Sequence, residues 1–526
     1  MNVDLSNTKL GNLLGALHNS RDRTLTKTPT KTVLVEVNHF FSHHCALPIL
    51  LEALSKEHNF DFVPYIPLAS WDEQINTLQF VLSLYRQMGM AGRCVKAEPS
   101  ALHIEEARCA VVEDFHFFNG EIWNLTDFVY DELPLGVHLV ETLIQQFSRA
   151  NFIQSIDTVR YAIGLISIYN WWRDFFKTNA VGAIIASHYC YEFSLPLLAG
   201  SKRELDLFSW THCNLIRINS LLPLPSLNAN LILPDSARKH WGKSPNTASR
   251  KCYILRGKEE LESRTRGVLL KGFDNDPRVM SSERCVSEYK IDKSDDRICL
   301  AIWSHAFSDA PNTMPKDKFG FLCNPLLSVR RLLEIFPESD FNVYVKTHPN
   351  PLEQDDAELN VLLKSFKDAK RLPNYLSVAQ AREAGVDCII SGWGTVCFEA
   401  RYLNIPVLTY TDFLGLAKMG IVDLIDINKT IITRQIVLDA IQRQLAGANI
   451  DLLVEQYVIH KYGWAIDLTC SGIEVLSRNS NDGLYTLNAF NHWADNFDLD
   501  RYYQMLPRVS EFFKSSEVVL SPFDDF

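Results

Sequence analysis

The stretches NVYVKTHPN (342–350) and DCIISGWGTVCFEA (387–400) decide the fold of this chain. Each begins with an apolar run of strand length and continues directly into a polar loop. The second loop then opens a helical pattern. Strand, loop and helix in this order build parallel sheets, in which the carboxyl ends of the strands share one edge. We therefore expect the two loops to lie side by side.

The two loops carry residues that suit an anion. The candidates are His348, Pro349, Ser391, Gly392, Gly394, Thr395 and Glu399. Glycines let backbone N–H groups approach a phosphate closely, and an imidazole adds a further donor. The carboxylate can accept hydrogen bonds from ribose hydroxyls. The spacing matches neither the dinucleotide fingerprint nor the P-loop. A tight turn, a structural histidine and a solvated glutamate are the alternatives.

Two further groups belong to the same predicted edge. Lys346 lies on the strand just before His348, where it offers a second cation. The segment SHAFSDAP (304–311) follows an earlier strand and supplies His305 and Ser308. A nucleotide phosphate is the ligand that such a set suits, which favours a glycosyltransferase that uses a nucleotide sugar.

Strands and helices alternate through both halves of the chain. The second half has predicted strands at 297–303, 342–346, 387–391 and 406–410, with helices at 326–335, 357–368 and 396–403. The first half has predicted strands at 31–37, 109–113 and 183–187, a helix at 47–54 and a helical region at 134–180. This pattern predicts an α/β protein with two Rossmann-like lobes that face each other across a cleft.

The chain divides into five predicted segments. They are a loosely ordered polar leader at 1–30, an acceptor lobe at 31–215, a connector with surface segments at 216–295, a nucleotide-sugar lobe at 296–455, and a helical tail at 456–526. The tail is rich in aromatic residues, and we expect it to cross back over the lobes.

Composition limits the class of protein. The 526 residues are 47% hydrophobic and 22% charged, as in ordinary globular proteins, and the net charge of −11 argues against a general nucleic-acid binder. Twelve scattered cysteines without a C-x-x-C pair suit a reduced, cytoplasmic protein. The sequence shows no signal peptide and no apolar run of transmembrane length. We expect a cytoplasmic protein, in peripheral contact at most with the inner face of the cell membrane.

The first lobe supplies the candidate catalytic groups. The segment DFVYDE (127–132) contains Asp127, Asp131 and Glu132, and His188 follows the strand at 183–187. A transferase must deprotonate an acceptor hydroxyl or supply a nucleophile, which these groups could do. Acids at helix caps on the surface are the alternative. The D-x-D triplets at 274–276 and 498–500 lie away from strand ends, so we expect no metal ion and no cofactor besides the donor.

The order of these segments resembles a known group of proteins. DFVYD (127–131), SHY (187–189), HAFSDAP (305–311), KTHP (346–349) and SGWGTVCFE (391–399) are similar to bacterial surface-polysaccharide biosynthesis proteins. These are glycosyltransferases of GT-B architecture from capsule and lipopolysaccharide synthesis, and they include enzymes that transfer Kdo from CMP-Kdo. The resemblance is strongest over 298–410.

The resemblance implies a donor held mainly by the second lobe. His348 would approach the phosphate, Ser391, Gly394 and Thr395 would surround it, and Glu399 would hold the ribose, while His305 and Ser308 would line the same cleft. The acceptor would be a surface glycan or a lipid-linked glycan, with contact to an assembly complex at the membrane. Trp393 stands where the family usually has a smaller residue, which leaves the identity of the donor open.

Three alternatives remain. A polyol-phosphate transferase that uses CDP-glycerol also has a His-Pro loop. An epimerase that hydrolyses UDP-sugars shares the two-lobed architecture and needs no acceptor. A non-catalytic scaffold that binds nucleotides or glycans would not depend on the acids of the first lobe.

Overall fold

A computed structural model describes most of the chain. The described residues are 8–22, 31–37, 41–57, 60–67, 75–119, 122–147, 156–211, 214–223, 225–243, 247–266, 291, 295–305, 325–348, 353–392, 394–447, 449–463, 466–471 and 487–522. Of the predicted site residues, Ser308 and Pro349 lie outside them, as do Trp393 and the triplet at 274–276.

Within the described residues, the first sheet has six strands in the order β3-β2-β1-β4-β5-β6. The strands are β1 (Lys31–Glu36), β2 (Phe60–Ile66), β3 (Val95–Lys96), β4 (Val181–Ala186), β5 (Asp206–Thr211) and β6 (Asn214–Arg217). The pairs from β3 to β5 are parallel, and β6 adds to the edge antiparallel to β5. This is the strand order of a Rossmann fold.

The part of the second sheet that the structure describes also has six strands, and all its neighbouring pairs are parallel. The strands are β7 (Ile298–Trp303), β8 (Phe341–Lys346), β9 (Lys370–Arg371), β10 (Cys388–Ser391), β11 (Val407–Thr409) and β12 (Asp423–Leu424). Their order, β12-β11-β10-β7-β8-β9, repeats that of the first sheet when the strands are counted within each lobe. Both lobes therefore reverse their strand order beside their own first strand, β1 or β7.

Helices cover both sheets. They are α1 (Lys9–Asp22), α2 (Phe41–Glu57), α3 (Ile75–Gln87), α4 (Ala101–Glu113), α5 (Phe115–Phe118), α6 (Leu135–Phe147), α7 (Ile156–Thr178), α8 (Ser194–Ser201), α9 (Pro225–Lys243), α10 (Thr247–Thr265), α11 (Pro325–Ile335), α12 (Glu353–Leu363), α13 (Val378–Ala384), α14 (Val396–Tyr402), α15 (Arg434–Ala446), α16 (Ile450–Tyr462), α17 (Leu487–Asp495) and α18 (Leu499–Lys514). None of these helices is both long and apolar enough to cross a membrane.

The continuous apolar runs of the strands reflect burial on both faces. Val33 and Val35 belong to the core on one side of the first sheet, and Leu34 between them belongs to the core on the other side. In the second sheet, Ala301 packs on one face, whereas Leu300 packs on the opposite face. Strands covered on both faces lose the alternation of apolar and polar residues. These cores confirm the predicted α/β fold with two Rossmann-like lobes, which is GT-B-like.

The C-terminal helices return to the first lobe, as predicted. Helix α18 packs against α2, and α17 packs against α1. The hydroxyl of Tyr502 on α18 donates to Oε2 of the buried Glu52 on α2, at 2.5 Å. Tyr502 and Trp493 are among the largest fully buried side chains.

Two predictions about local structure were wrong. The predicted polar leader contains α1, whose Leu10, Leu14 and Leu17 are buried at helical spacing. The predicted strand at 109–113 is the end of helix α4. A capping box between Ser100 and His103 starts that helix, which buries an apolar face, so the helix is favoured over a strand.

The predicted connector at 216–295 was also wrong as a description of its first half. Strand β6 extends the first sheet to Arg217. Helix α9 places Ala237 and Trp241 in the core of the second lobe, and α10 adds the buried Leu261 to the same core. The charged run at 256–266 thus forms one face of a packed helix. At the other boundary, α16 continues past the predicted end of the second lobe at 455.

Candidate functional site

A cavity of about 260 Å³ lies at the carboxyl edge of the second sheet. Strands β7, β8 and β10 all end at it, where the strand order of the sheet reverses. Ligands of open α/β sheets bind at this kind of position. The lining residues are Arg264, Trp303, Ser304, His305, Lys346, His348, Asn374, Tyr375, Leu376, Ser377, Val378, Ser391, Gly394, Thr395, Val396 and Glu399.

Lys346, the last residue of β8, lines this cavity. Its side chain is 1% exposed, its Nζ donates to the carbonyl oxygen of Thr347 at 3.2 Å, and it stands 4.7 Å from the centre of the Trp303 ring. Burial lowers the pKa of Lys346 to about 7, against the attraction of the Glu399 carboxylate. An anion bound in the cavity would favour the charged ammonium and restore a higher pKa.

Two imidazoles from neighbouring strands meet at the same cavity. The rings of His305, after β7, and His348, after β8, have centroids 5.4 Å apart and are tilted by 33°. The N–H of Ser304 donates to the carbonyl oxygen of Lys346 at 2.8 Å, which ties the two loops together. The structure therefore brings three predicted donor-site residues, Lys346, His305 and His348, to one place.

An arginine that the sequence analysis missed completes the basic side of the cavity. Nε of Arg264 on α10 donates to Oε1 of Glu399 at 2.9 Å, and one of its NH2 groups donates to Oγ1 of Thr395 at 2.8 Å. Arg264 belongs to the charged run assigned to the connector, and no local pattern pairs it with residues so distant in sequence. Glu399 lines the cavity as expected, but it is already the partner of an arginine.

The two glycines of the loop after β10 have different reasons to be glycine. Gly394 lines the cavity with φ of +109°, and a Cβ atom there would meet nothing within 4 Å. Its positive φ favours glycine, and its surface stays open to a ligand. A Cβ atom on Gly392 would come within 2.5 Å of the Tyr410 ring, and Gly392 is not a lining residue. Gly392 is therefore explained by packing. The preceding residue, Ser391, connects the ends of β10 and β7, because its Oγ donates to the Trp303 carbonyl oxygen at 3.0 Å.

The three predicted acids of the first lobe lie in or beside one tight turn, and none lines this cavity. Asp131 and Glu132 have φ of 51° and 61°, between the paired residues Tyr130 and Leu133. Asp131 accepts from the hydroxyl of Tyr169 at 2.6 Å, and Glu132 pairs with Lys202 at 2.6 Å. Asp127 is exposed. Asp131 and Glu132 thus have structural partners, and their catalytic role stays a prediction.

His188 lies at a different site, the switch point of the first sheet between β1 and β4. Its Nδ1 is 2.7 Å from Oγ of Ser187, and that hydroxyl is 2.5 Å from Oε1 of Glu36. Glu36 is fully buried at the end of β1. Burial raises the pKa of Glu36 to about 7, although hydrogen bonds from Ser187 and from the His188 backbone lower it. The sequence analysis missed Glu36, whose signal was an acid closing an apolar strand.

Metal binding finds no support in the described part of the chain, which contains no group of three or more His, Cys, Asp or Glu placed to hold an ion. Asp498 of the second D-x-D triplet instead caps α18, where its carboxylate accepts from the N–H of Arg501 at 3.0 Å. Independence from metals stays a prediction.

No protein-family model and no curated protein matches the chain. Among solved structures, it is similar to the UDP-GlcNAc 2-epimerase of Neisseria meningitidis bound to UDP-GlcNAc, with 12% identity, 86% of this chain and 99% of that chain covered, and a TM-score of 0.22. It is also similar to a glycosyltransferase of Rickettsia africae ESF-5 (10%, 92% and 99%, TM-score 0.28) and to the calicheamicin glycosyltransferase CalG4 (11%, 82% and 95%, TM-score 0.26). Similarity this low says nothing about activity. Function must be inferred from the site, and the resemblance to capsule and lipopolysaccharide enzymes stays a prediction.

Proposed function

We propose that the protein is a glycosyltransferase that takes a sugar from a nucleotide-activated donor held in the cavity of the second lobe. One observation carries the proposal. Lys346, His305 and His348 converge on a cavity at the switch point of a Rossmann-like sheet, with the open backbone of Gly394 among its walls. An amine, two imidazoles and an accessible backbone at this place suit a phosphate.

The size of the cavity favours a small nucleotide. Its volume of about 260 Å³ is slightly below the range of roughly 300–1,000 Å³ that is usual for pockets of drug-sized ligands. A mononucleotide suits this space better than a complete sugar nucleotide, whose sugar would extend out of it. We propose CMP-Kdo as the specific donor, because its single phosphate leaves little charge to neutralise and the side chains of this cavity could suffice for that. The acceptor in this proposal is a surface polysaccharide or a lipid-linked glycan.

In the mechanism that follows from this proposal, Lys346, His305 and His348 act on the leaving group. When the bond between the anomeric carbon and the phosphate oxygen breaks, negative charge develops on that oxygen. His305 and His348 can donate hydrogen bonds to it. Lys346 is preorganised by its burial, because Trp303 and the Thr347 carbonyl already hold the ammonium in position.

Ligand-induced thermal shift tests the donor site. CMP, CDP, UDP, GDP and ADP are each added to the wild type, to His348→Ala and to His492→Ala, a matched control on the exposed surface of α17. A ligand at 100 times its dissociation constant adds about 2.7 kcal/mol to the free energy of unfolding. We expect CMP to stabilise the wild type and the control but not His348→Ala.

The other outcomes separate the alternatives. A shift selective for UDP would exclude the CMP-Kdo donor, and turnover of a UDP-sugar without an acceptor would indicate an epimerase. Release of CMP from CDP-glycerol with transfer of a phosphate would indicate a polyol-phosphate transferase. The absence of a shift with every nucleotide would overturn the proposal in favour of a scaffold.

A further inference from the structure

A buried acid, a hydroxyl and an imidazole stand in line at the switch point of the first sheet. Oε1 of Glu36 is 2.5 Å from Oγ of Ser187, and that oxygen is 2.7 Å from Nδ1 of His188. Glu36 is 0% exposed and Ser187 4% exposed, whereas His188 is only partly buried. We infer that Glu36, Ser187 and His188 form a proton relay, and, if the proposed sugar transfer is correct, that this relay deprotonates the acceptor hydroxyl.

Hydrogen-bond chemistry fixes the direction of the relay. An ionised carboxylate can only accept, so the Ser187 hydroxyl must donate to Glu36. The Ser187 oxygen then accepts from His188, which requires the proton of the neutral imidazole to be on Nδ1. The lone pair is therefore on Nε2, the position from which histidine can act as a base.

When Glu36 is protonated, the two hydrogen bonds of the relay point in the opposite direction. Glu36 donates to Ser187, Ser187 donates to Nδ1, and the imidazole carries its proton on Nε2. The protonation state of a buried carboxyl thus selects the tautomer of a histidine near the surface. Glu36 and Ser187 are positioning residues in this scheme, and His188 is the catalytic residue.

The proton step balances along this line. The O–H bond of the acceptor breaks as an Nε2–H bond forms on His188. The Nδ1 proton moves to the Ser187 oxygen, and the Ser187 proton moves to Oε1 of Glu36. The acceptor oxygen bonds to the anomeric carbon, and the electron pair of the broken bond leaves with the nucleotide phosphate. His188 is neutral before and after the proton step. Within the relay only Glu36 changes its charge, from a carboxylate to a neutral carboxylic acid.

The surroundings of Glu36 suit a proton store that works near neutral pH. Burial raises the pKa of Glu36 to about 7, close to the value at which a general base is most effective. Tyr65 from β2 and Tyr85 from α3 face the carboxyl, and the hydroxyl of Tyr85 donates to the Glu36 backbone oxygen at 2.9 Å. His43 from α2 faces His188, with ring centroids 6.3 Å apart.

Glu36→Gln tests the relay because the amide of the Gln side chain can satisfy its hydrogen bonds in only one orientation. Oε2 of Glu36 accepts from the N–H of Ser187 at 2.9 Å, so the Gln oxygen must take that place. The amide NH2 then faces the Ser187 oxygen and donates to it. Ser187 must donate to Nδ1, and the variant locks His188 with its proton on Nε2.

The tautomer is read directly by NMR. The ring nitrogen shifts of His188 are measured in protein labelled with nitrogen-15 histidine at about pH 8, above the pKa of Glu36, and assigned by comparison with His188→Gln. We expect the Nδ1–H tautomer in the wild type and the Nε2–H tautomer in Glu36→Gln. Glu52→Gln is the matched control, because Glu52 is another buried acid of the first lobe, and it should keep the wild-type tautomer.

Kinetics provide the second measurement. We expect Glu36→Gln and Ser187→Ala to lower kcat for sugar transfer by roughly 10²–10⁴-fold, the usual contribution of general base catalysis. Their stabilisation by CMP should stay at the wild-type level. Ser187→Thr keeps the hydroxyl and should retain most of the activity, which a role in packing alone would not explain.

Two results would overturn the relay. One is an unchanged His188 tautomer in Glu36→Gln, and the other is wild-type kcat in a folded Ser187→Ala. Failure of the proposed function looks different, since the wild type would then neither bind a nucleotide nor transfer sugar. The tautomer measurement decides the relay in that case too.

Discussion

The two lobes share a strand order but bury opposite ionisable groups at the same edge of their sheets. The first sheet buries the acid Glu36, and the second buries the base Lys346. Burial disfavours the charged form of each, so the pKa of Glu36 rises and that of Lys346 falls, both to about 7. One physical cause therefore produces an acid and a base that both titrate near neutral pH.

The difference between the two sites lies in their partners. Glu36 is held by donors of its own chain, the Ser187 hydroxyl and two backbone N–H groups. Lys346 has a backbone carbonyl and the face of Trp303, and it borders an open cavity. The first arrangement passes a proton within the protein, whereas the second is suited to receive an anion from outside.

The largest expected effect comes from Lys346→Met. A lowered pKa means that the folded protein loses stability as the pH falls through about 7, and that this stability is fully present above the unfolded pKa near 10.5. Removing the buried amine should raise the free energy of unfolding by roughly 3–5 kcal/mol at about pH 6 and by much less at about pH 10. Denaturant unfolding at the two pH values measures this difference.

The same variant should lose its stabilisation by CMP. Lys364→Met, at the exposed end of the helical region after β8, is the control and should leave the pH dependence as in the wild type. A Lys346→Met protein with the wild-type pH dependence would show that Lys346 does not titrate near neutral pH in the folded protein.

The second expected effect is a free energy of unfolding that falls as the pH rises, opposite to the effect of Lys346. The raised pKa of Glu36 means that its stability is fully present below the unfolded pKa near 4.5 and is lost as the pH rises through about 7. The wild type should therefore lose about 3 kcal/mol from this group across that range, and Glu36→Gln should not. Melting temperatures of the two proteins at about pH 5 and pH 8 test this, and parallel curves would contradict it.

The sequence predicted the fold well where its periodicity was unambiguous. The strands before Lys346 and Ser391 lie within one residue of their predicted bounds, because apolar runs bounded by polar loops leave few alternatives. The segment at 109–113 failed because a short apolar run fits a helix as well as a strand, and the capping box of Ser100 lies upstream of it.

The sequence predicted those parts of the candidate site that depend on the order of the strands alone. The carboxyl ends of parallel strands meet at one edge, so His305 and His348 could be brought together from the strand order alone. Arg264 could not, because its position depends on how α10 packs against α14. Glu36 could not either, since its burial depends on β2 and α3, which approach it from elsewhere in the chain.

The smallest expected effect concerns the ion pair of Glu399, a partly buried acid of the second lobe. Glu36 is held by hydroxyl and N–H donors, whereas Glu399 is paired with Arg264 at 2.9 Å, with side chains 13% and 17% exposed. Arg264→Met leaves Glu399 without its ion-pair partner and should lower the free energy of unfolding by about 2 kcal/mol. Glu399→Gln in the same protein should restore about half of this loss.

A surface ion pair at the end of α10 is the control for the Arg264–Glu399 pair. Glu262 lies on α10 and Arg266 follows directly after its last residue; the two side chains are 2.7 Å apart, with Arg266 69% and Glu262 54% exposed. The coupling energy of that pair should be at most about 0.5 kcal/mol, since solvent screens exposed charges. Equal coupling energies for the two pairs in denaturant unfolding would mean that partial burial does not strengthen the Arg264–Glu399 pair.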